Sequence, residues 1–414
     1  MTSARRATLG IIFATVFMDL VGFGMIIPLQ AIYARSLGAS GWVLGLIGAA
    51  YPLAQFAFAP LWGRLGDRHG RRPILLMSMT GSTLSYLGFA LATYWNNLPL
   101  LIATRALQGT FAANVSAAQA YIADVTPVEK RSGGMALIGV AFGLGFVIGP
   151  VLGGLSSKFI GPLAPGLLAA AICGTNLLAA CFRLPESLSR EAQLANRARP
   201  FGPYDPLHRE ALRRAFAHPY LGRLLLMSFL QIVAFGLVEQ VFALFFAAHL
   251  GLGREDAALR TGYALAYVGV LGALVQGIWV RRHGARYGER KLLLIGLTLF
   301  VGSVALIPFG PTYASYFVIL VPLALGRSLI DPNVSSLISR AASAEAQGQT
   351  FGTFQGLSSL ARIVGPFVGL NVFELSPSLP FFTAALVSGC SLALGFGLPR
   401  AAAPAPVAEA HPAA

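Results

Sequence analysis

The stretch G-R-L-G-D-R-H-G-R-R, Gly63 to Arg72, lies between two apolar runs, Trp42–Trp62 and Pro73–Tyr94. A helix needs about 20 predominantly apolar residues to cross the hydrocarbon core of a bilayer, and both runs meet that length. The chain therefore crosses, turns within a short loop and crosses back. Basic residues held on the cytoplasmic side account for Arg64, Arg68, Arg71 and Arg72. They do not account for Asp67 set among them, or for Gly63 and Gly70 on either side.

Working outward, the same pattern fills the chain. Of 414 residues, 56% are hydrophobic and 11% charged. A soluble domain carries about a quarter charged residues, so lipid must solvate most of this exterior. Helices are the expected element, because backbone groups facing lipid must pair within their own segment. Membrane-length runs are predicted at Thr8–Tyr33, Trp42–Trp62, Pro73–Tyr94, Leu98–Ile122, Gly133–Ser157 and Pro165–Leu184. A second set follows at Tyr220–Ala247, Ala258–Val280, Lys291–Phe309, Tyr313–Ile338, Phe351–Phe373 and Leu379–Leu398. The predicted organisation is an all-α integral membrane protein: a six-helix bundle over 1–184, a cytoplasmic linker over 185–219, a second six-helix bundle over 220–398 and a disordered cytoplasmic tail over 399–414.

The 30 Lys and Arg residues test this map. With both termini and every second loop in the cytoplasm, twenty-three fall inside. Only Arg35, Lys158, Arg254 and Arg260 fall outside, and Arg105, Arg327 and Arg362 lie within spans. This is the positive-inside pattern of a multi-pass protein of the inner membrane, and it leaves no basic patch for nucleic acid. Cys173, Cys181 and Cys390 have neither zinc-like spacing nor a disulfide framework. No metal cluster and no phosphate-cradling G-x-x-x-x-G-K-[ST] string is present, so no cofactor is expected.

The two halves repeat. Gly70 returns as Gly288, 218 residues on; Gly109 returns as Gly326, 217 on. Gly149-Pro150 returns as Gly365-Pro366 at 216, and Phe23-Gly24 as Phe235-Gly236 at 212. Six spans followed by six in the same orientation make a parallel repeat, whose axis runs along the membrane normal. Such repeats hold their substrate between the halves.

The loop at Gly63–Arg72 resembles the signature G-x-L-x-D-R-x-G-R-R/K of the major facilitator superfamily. The resemblance implies that Gly63, Asp67, Arg68, Gly70, Arg71 and Arg72 form a charge network with a neighbouring helix start, latching the halves on the inner side. The second copy keeps Gly288 but has Ala285 where the acid would fall, so a one-sided latch is expected. Span 4 contains R-A-L-Q-G, Arg105 to Gly109, which is similar to drug/proton antiporters, where the arginine is linked to proton coupling. Span 5 reads G-F-V-I-G-P-V-L-G-G, with Gly145, Gly149, Pro150, Gly153 and Gly154 resembling the antiporter string. Glycines every four residues also make a flat face for close helix packing. Gly161, in the following loop, has no part in that face. The string F-M-D-L-V-G-F-G-M-I-I-P-L around Asp19, with Y-I-A-D and L-P-E-S, is closest to tetracycline-resistance exporters. The chain departs from them at Ser85-Tyr86, at Gly272 and in a ninth span without a carboxylate.

An ionisable residue within a span is a functional candidate by default. Asp19, Arg105, Glu239 and Asp331 are the candidates for proton coupling, with Arg105 as the electrostatic partner of Asp19. Gln55, Gln108, Asn114, Gln231, Phe235, Glu239, Arg327 and Arg362 are candidates for the substrate cavity. Arg327 and Asp331, four residues apart, share one helix face and can neutralise each other. The sequence-level reading is a monomeric transporter, not an enzyme, exporting a small amphipathic compound in exchange for protons by rocking of its halves. Transport of a sugar or other metabolite is the alternative within this fold; a membrane receptor or enzyme is the alternative outside it.

Overall fold

Ten of the twelve membrane-length runs form a single helical stretch and two are interrupted in the computed structural model, which describes residues 3–126, 131–198, 205, 209–280, 282, 287–341 and 347–399. Among these residues there is no strand. The first half comprises α1 (Ser3–Ser36), α2 (Gly41–His69), α3 (Arg71–Tyr94), α4 (Leu98–Thr110), α5 (Asn114–Val125), α6 (Arg131–Phe159) and α7 (Ala164–Arg183). Two short helices follow, α8 (Arg190–Ala198) and α9 (Arg209–Ala217). The second half comprises α10 (Pro219–Glu239), α11 (Phe242–His249), α12 (Arg254–Leu274), α13 (Glu289–Leu306), α14 (Tyr313–Ala341), α15 (Gln347–Leu375) and α16 (Leu379–Phe396). A π-helical turn, Val275–Val280, extends α12. The predicted tail lies outside the described residues from 400 onward, as do Ala285 and part of the linker.

Eleven of these helices are long and apolar enough to cross a membrane. The twelfth crossing, read from sequence as the single run Leu98–Ile122, is the interrupted pair α4 and α5. Neighbouring helices hold the interruption open. Trp62 Nε1 donates to the Thr110 carbonyl at 2.5 Å, Ser78 Oγ to Phe111 at 2.6 Å, and Gln55 Nε2 to Ala112 at 3.5 Å. Those carbonyls are thereby satisfied without helical partners, which mid-membrane backbone requires. The seventh run is also interrupted, between Glu239 and Phe242.

The chain forms two compact units, one of residues 1–204 with 242–266 and the other of 205–241 with 267–414. In the first, α6 lies on α1 with glycine against backbone. A Cβ at Gly149 would stand 2.6 Å from the Val21 carbonyl oxygen, and one at Gly153 would stand 2.5 Å from that of Met25. Gly154 turns the other way, to Leu259 on α12. In the second unit, α15 lies on α10 in the same manner, with Gly365 against Val233 and Gly369 against Leu237. Lipid tails are as apolar as side chains, so helices in a bilayer associate by close packing, and small residues permit it. Each half therefore carries its own copy of one glycine-built helix pair.

Candidate functional site

The loop at Asp67 is a network built within the first unit. Asp67 pairs with Arg71 at 2.6 Å, and Arg71 Nε reaches Asp124 at the end of α5 at 3.3 Å. The acid at the start of α3 is Glu186, not Asp67. Its carboxylate accepts from the backbone N–H of Arg71 at 2.8 Å and of Arg72 at 3.2 Å. A carboxylate there meets the positive end of the helix dipole. The Arg72 guanidinium donates to the Cys181 carbonyl at 2.7 Å, and Ser187 Oγ donates to Asp124 at 3.0 Å. Helix α8 closes over the loop: Asn196 donates to the Asp67 carbonyl at 3.0 Å and Arg197 to the Arg68 carbonyl at 2.9 Å. Gly63 has open space where a Cβ would stand.

The second-half loop has a network of its own. Glu289, directly after Gly288, accepts from Ser336 Oγ at 2.5 Å and pairs with Arg340 at 3.0 Å. The acid lies one residue after the glycine instead of three before it, so it does not fall where the repeat of Asp67 would stand.

In the membrane interior of the first unit, the Asp19 carboxyl on α1 has Ser82 on α3 and Asn114 on α5 as its hydrogen-bonding neighbours. Arg105 is buried at 3% exposure, donates to Gln108 Oε1, and lies 5.3 Å from the Tyr51 ring and 5.8 Å from the Phe23 ring. Among the described residues no ion pair joins Arg105 to Asp19. Tyr86, 1% exposed and with an unpartnered hydroxyl, neighbours both of them. Its ring lies against Gly22, one turn from Asp19, where a Cβ would come within 3.0 Å. Gln55 also donates to the Tyr51 hydroxyl at 3.4 Å. The structure thus gathers Asp19, Arg105, Gln55, Gln108 and Asn114 around two tyrosines and a serine that sequence reasoning did not single out. Ser85-Tyr86 stood out only as a departure from a pattern; the helical register that brings Tyr86 to Gly22 is a tertiary fact.

The second unit holds the other candidates. Arg327 pairs with Asp331 at 3.1 Å and lies over the Phe235 ring at 3.7 Å. Arg327 and Arg362 are the charges facing Glu239 at the end of α10. Arg362 donates to Ser359 Oγ at 3.2 Å. Gln231 accepts from Ser388 at 2.7 Å and is tied to α16. Two arginines and two acids, Arg327, Arg362, Glu239 and Asp331, thus lie together, the pairing usual for ionisable residues within a membrane.

The sequence pattern of the Major Facilitator Superfamily matches residues 12–366 and 282–413. The chain is 33% identical over 374 residues to the tetracycline resistance protein, class C, of Escherichia coli, covering 89% of this chain and 90% of that protein. It is 30% identical over 397 residues to multidrug resistance protein 2 of Bacillus subtilis (strain 168), covering 94% and 93%. Among solved structures, the human organic anion transporter MFSD10 (TETRAN) is similar with a TM-score of 0.67 at 27% identity, over 95% of this chain and 100% of that one.

Proposed function

Because the chain belongs to the Major Facilitator Superfamily, we propose that it exports a small amphipathic compound, tetracycline-like or of a multidrug range, in exchange for protons. The observation that carries the proton role is Asp19, a carboxyl in mid-span whose hydrogen-bonding neighbours, Ser82 and Asn114, are both uncharged. A bare charge there is costly in the bilayer. A proton or a donor group of the cargo can each neutralise it, and exchange between the two couples their movements. Arg105, held on aromatic faces and Gln108, supplies the nearby positive charge. The glycine-built α1–α6 pair carries Asp19 on a helix that moves as one body with its partner. Relatives named for tetracycline, multidrug and organic anion transport support a cargo with both apolar and oxygen-rich faces. The protein works as a monomer in the inner membrane with both termini cytoplasmic, and its halves rock about the cargo. The twenty-three to four distribution of basic residues supports that orientation.

The test is tetracycline uptake into inside-out vesicles under an imposed pH gradient. Wild-type protein accumulates the drug and releases it when a protonophore collapses the gradient. Asp19→Asn abolishes gradient-driven accumulation while keeping drug binding. Accumulation that still follows the gradient in this variant would move the coupling site to Glu239 or Asp331.

A further inference from the structure

Four charged side chains meet in the second unit, and they are not engaged alike. Arg327 and Asp331 stand one turn apart on α14 and pair at 3.1 Å. Arg327 also lies over the Phe235 ring of α10 at 3.7 Å. Phe235 and Glu239 stand one turn apart on α10. The two helices are the seventh and tenth crossings, so they run in opposite directions. Glu239 and Asp331 therefore lie on opposite sides of the Arg327 guanidinium, each separated from it by roughly 6 Å of helix rise. Only the Asp331 side is taken. Arg327 uses Nη2 for Asp331, and among the described residues its Nε and Nη1 donate to nothing. Neither nitrogen is sealed from solvent, and the side chain is 33% exposed. Glu239 faces Arg327 and Arg362, yet among the described residues it accepts no hydrogen bond and forms no ion pair.

A pair built only to neutralise itself needs neither an open guanidinium edge nor an unbonded acid beside it. Charged groups inside a membrane mark the path of a substrate, and they are held in balance. Two arginines and two acids sum formally to zero. A cargo of one net charge upsets that balance, whereas a cargo carrying both signs keeps it. An arginine stacked on a ring holds its fork in a fixed plane, which suits an oxyanion with two oxygens. An ionised carboxylate only accepts, which suits an ammonium. We propose that Arg327 and Glu239 form a subsite for a zwitterionic group of the transported compound. A carboxylate or enolate binds the open edge of Arg327, and a protonated amine close to it on the same compound binds Glu239. This rests on the export reading above and adds the charge class of the cargo.

The probes are tetracycline, which carries a dimethylammonium and an ionised enol on one ring, and its 4-dedimethylamino derivative, which keeps the enol and lacks the amine. Equilibrium binding of each to the purified full-length protein is measured without any gradient. Wild type is expected to prefer tetracycline by about tenfold, the worth of one charge-assisted hydrogen bond. Glu239→Gln is expected to bring the two compounds within about threefold of each other. Arg327→Gln alone would strand Asp331, so the second variant is Arg327→Gln with Asp331→Asn, which keeps the charge balance. It is expected to weaken both compounds by about tenfold and to keep the preference for the amine. The preference is a ratio read within one protein, so a general loss of folded material does not imitate its disappearance. The proposal is overturned by a wild type that binds neither compound or binds both equally. It is also overturned by a preference that survives in Glu239→Gln, or by unchanged affinities in the double variant. Gradient-driven accumulation by wild type alongside any of these results sinks this inference and leaves the export reading standing. The expected preferences without accumulation do the reverse.

Discussion

At Gly70, backbone conformation and charge meet. Its φ of 103° and ψ of 161° lie in a region that only glycine occupies without strain. A Cβ there would also run into the Glu186 carboxylate that caps α3. The glycine of the loop signature therefore has two physical duties, a turn that L residues resist and a clear path for an acid from beyond the sixth crossing. Gly70→Ala is expected to lower thermal stability by about 1–3 kcal/mol, the usual cost of such strain. Glu186→Ala in the same background relieves the collision but not the φ, so part of the loss remains. Full recovery in the double variant, measured by thermal unfolding, would show that steric contact alone fixes this residue. The sequence made Gly70 and Asp67 conspicuous and carried Glu186 in the L-P-E-S string, but it did not tie Glu186 to α3, because a capping acid 115 residues away along the chain leaves no local pattern for that contact.

Elements show where sequence reading succeeds and where it stops. The four-residue spacing of Gly145, Gly149 and Gly153 is visible as a string, and in the structure that face meets α1 at backbone distance. Replacing hydrogen by a large side chain there must part the helices, since their backbones already touch. Gly149→Leu and Gly153→Leu are each expected to abolish drug accumulation in vesicles, whereas Gly143→Ala on the same helix, with nothing within 4 Å, keeps it. Gly161, in the following loop, does not serve as the control although nothing lies within 4 Å of it, because its φ of 121° strains any other residue. Equal loss at Gly143 and Gly149 would mean that helix propensity, not packing, sets the effect. The interruption of the fourth crossing was not legible. Phe111-Ala112-Ala113 contains neither proline nor glycine, and its donors, Trp62, Ser78 and Gln55, belong to two other helices. Apolar periodicity reports a membrane crossing; it does not report which carbonyls other helices divert.

Across the whole molecule the two halves repeat in packing but not in charge. Gly24 with Gly149 in one unit and Gly236 with Gly365 in the other build the same helix pair. After the loop glycine the polarity inverts: Arg71 pairs with Asp124 in the first unit, and Glu289 pairs with Arg340 in the second. The residues correspond, since Arg71 and Glu289 each follow a glycine of positive φ, and Asp124 and Arg340 end the corresponding crossings. A repeat sought by residue identity misses such a pair; one sought by position and opposite charge finds it. What each half keeps is a tie between the start of one crossing and the end of the next, and either polarity provides it. Arg340 is 61% exposed, so the pair itself contributes little, about 0–1 kcal/mol. Glu289 is only 22% exposed, and it also accepts from Ser336, so removing the acid costs more than the pair. Glu289→Gln is expected to keep the Ser336 bond and lose less than about 1 kcal/mol, and Glu289→Ala to lose about 1–3 kcal/mol. Exchanging the charges, Glu289→Arg with Arg340→Asp, gives the second half the polarity of the first and should restore drug accumulation that Glu289→Arg alone reduces. If the exchange recovers thermal stability but not accumulation, the inverted polarity itself is needed for transport, and the tie is not the whole of its role.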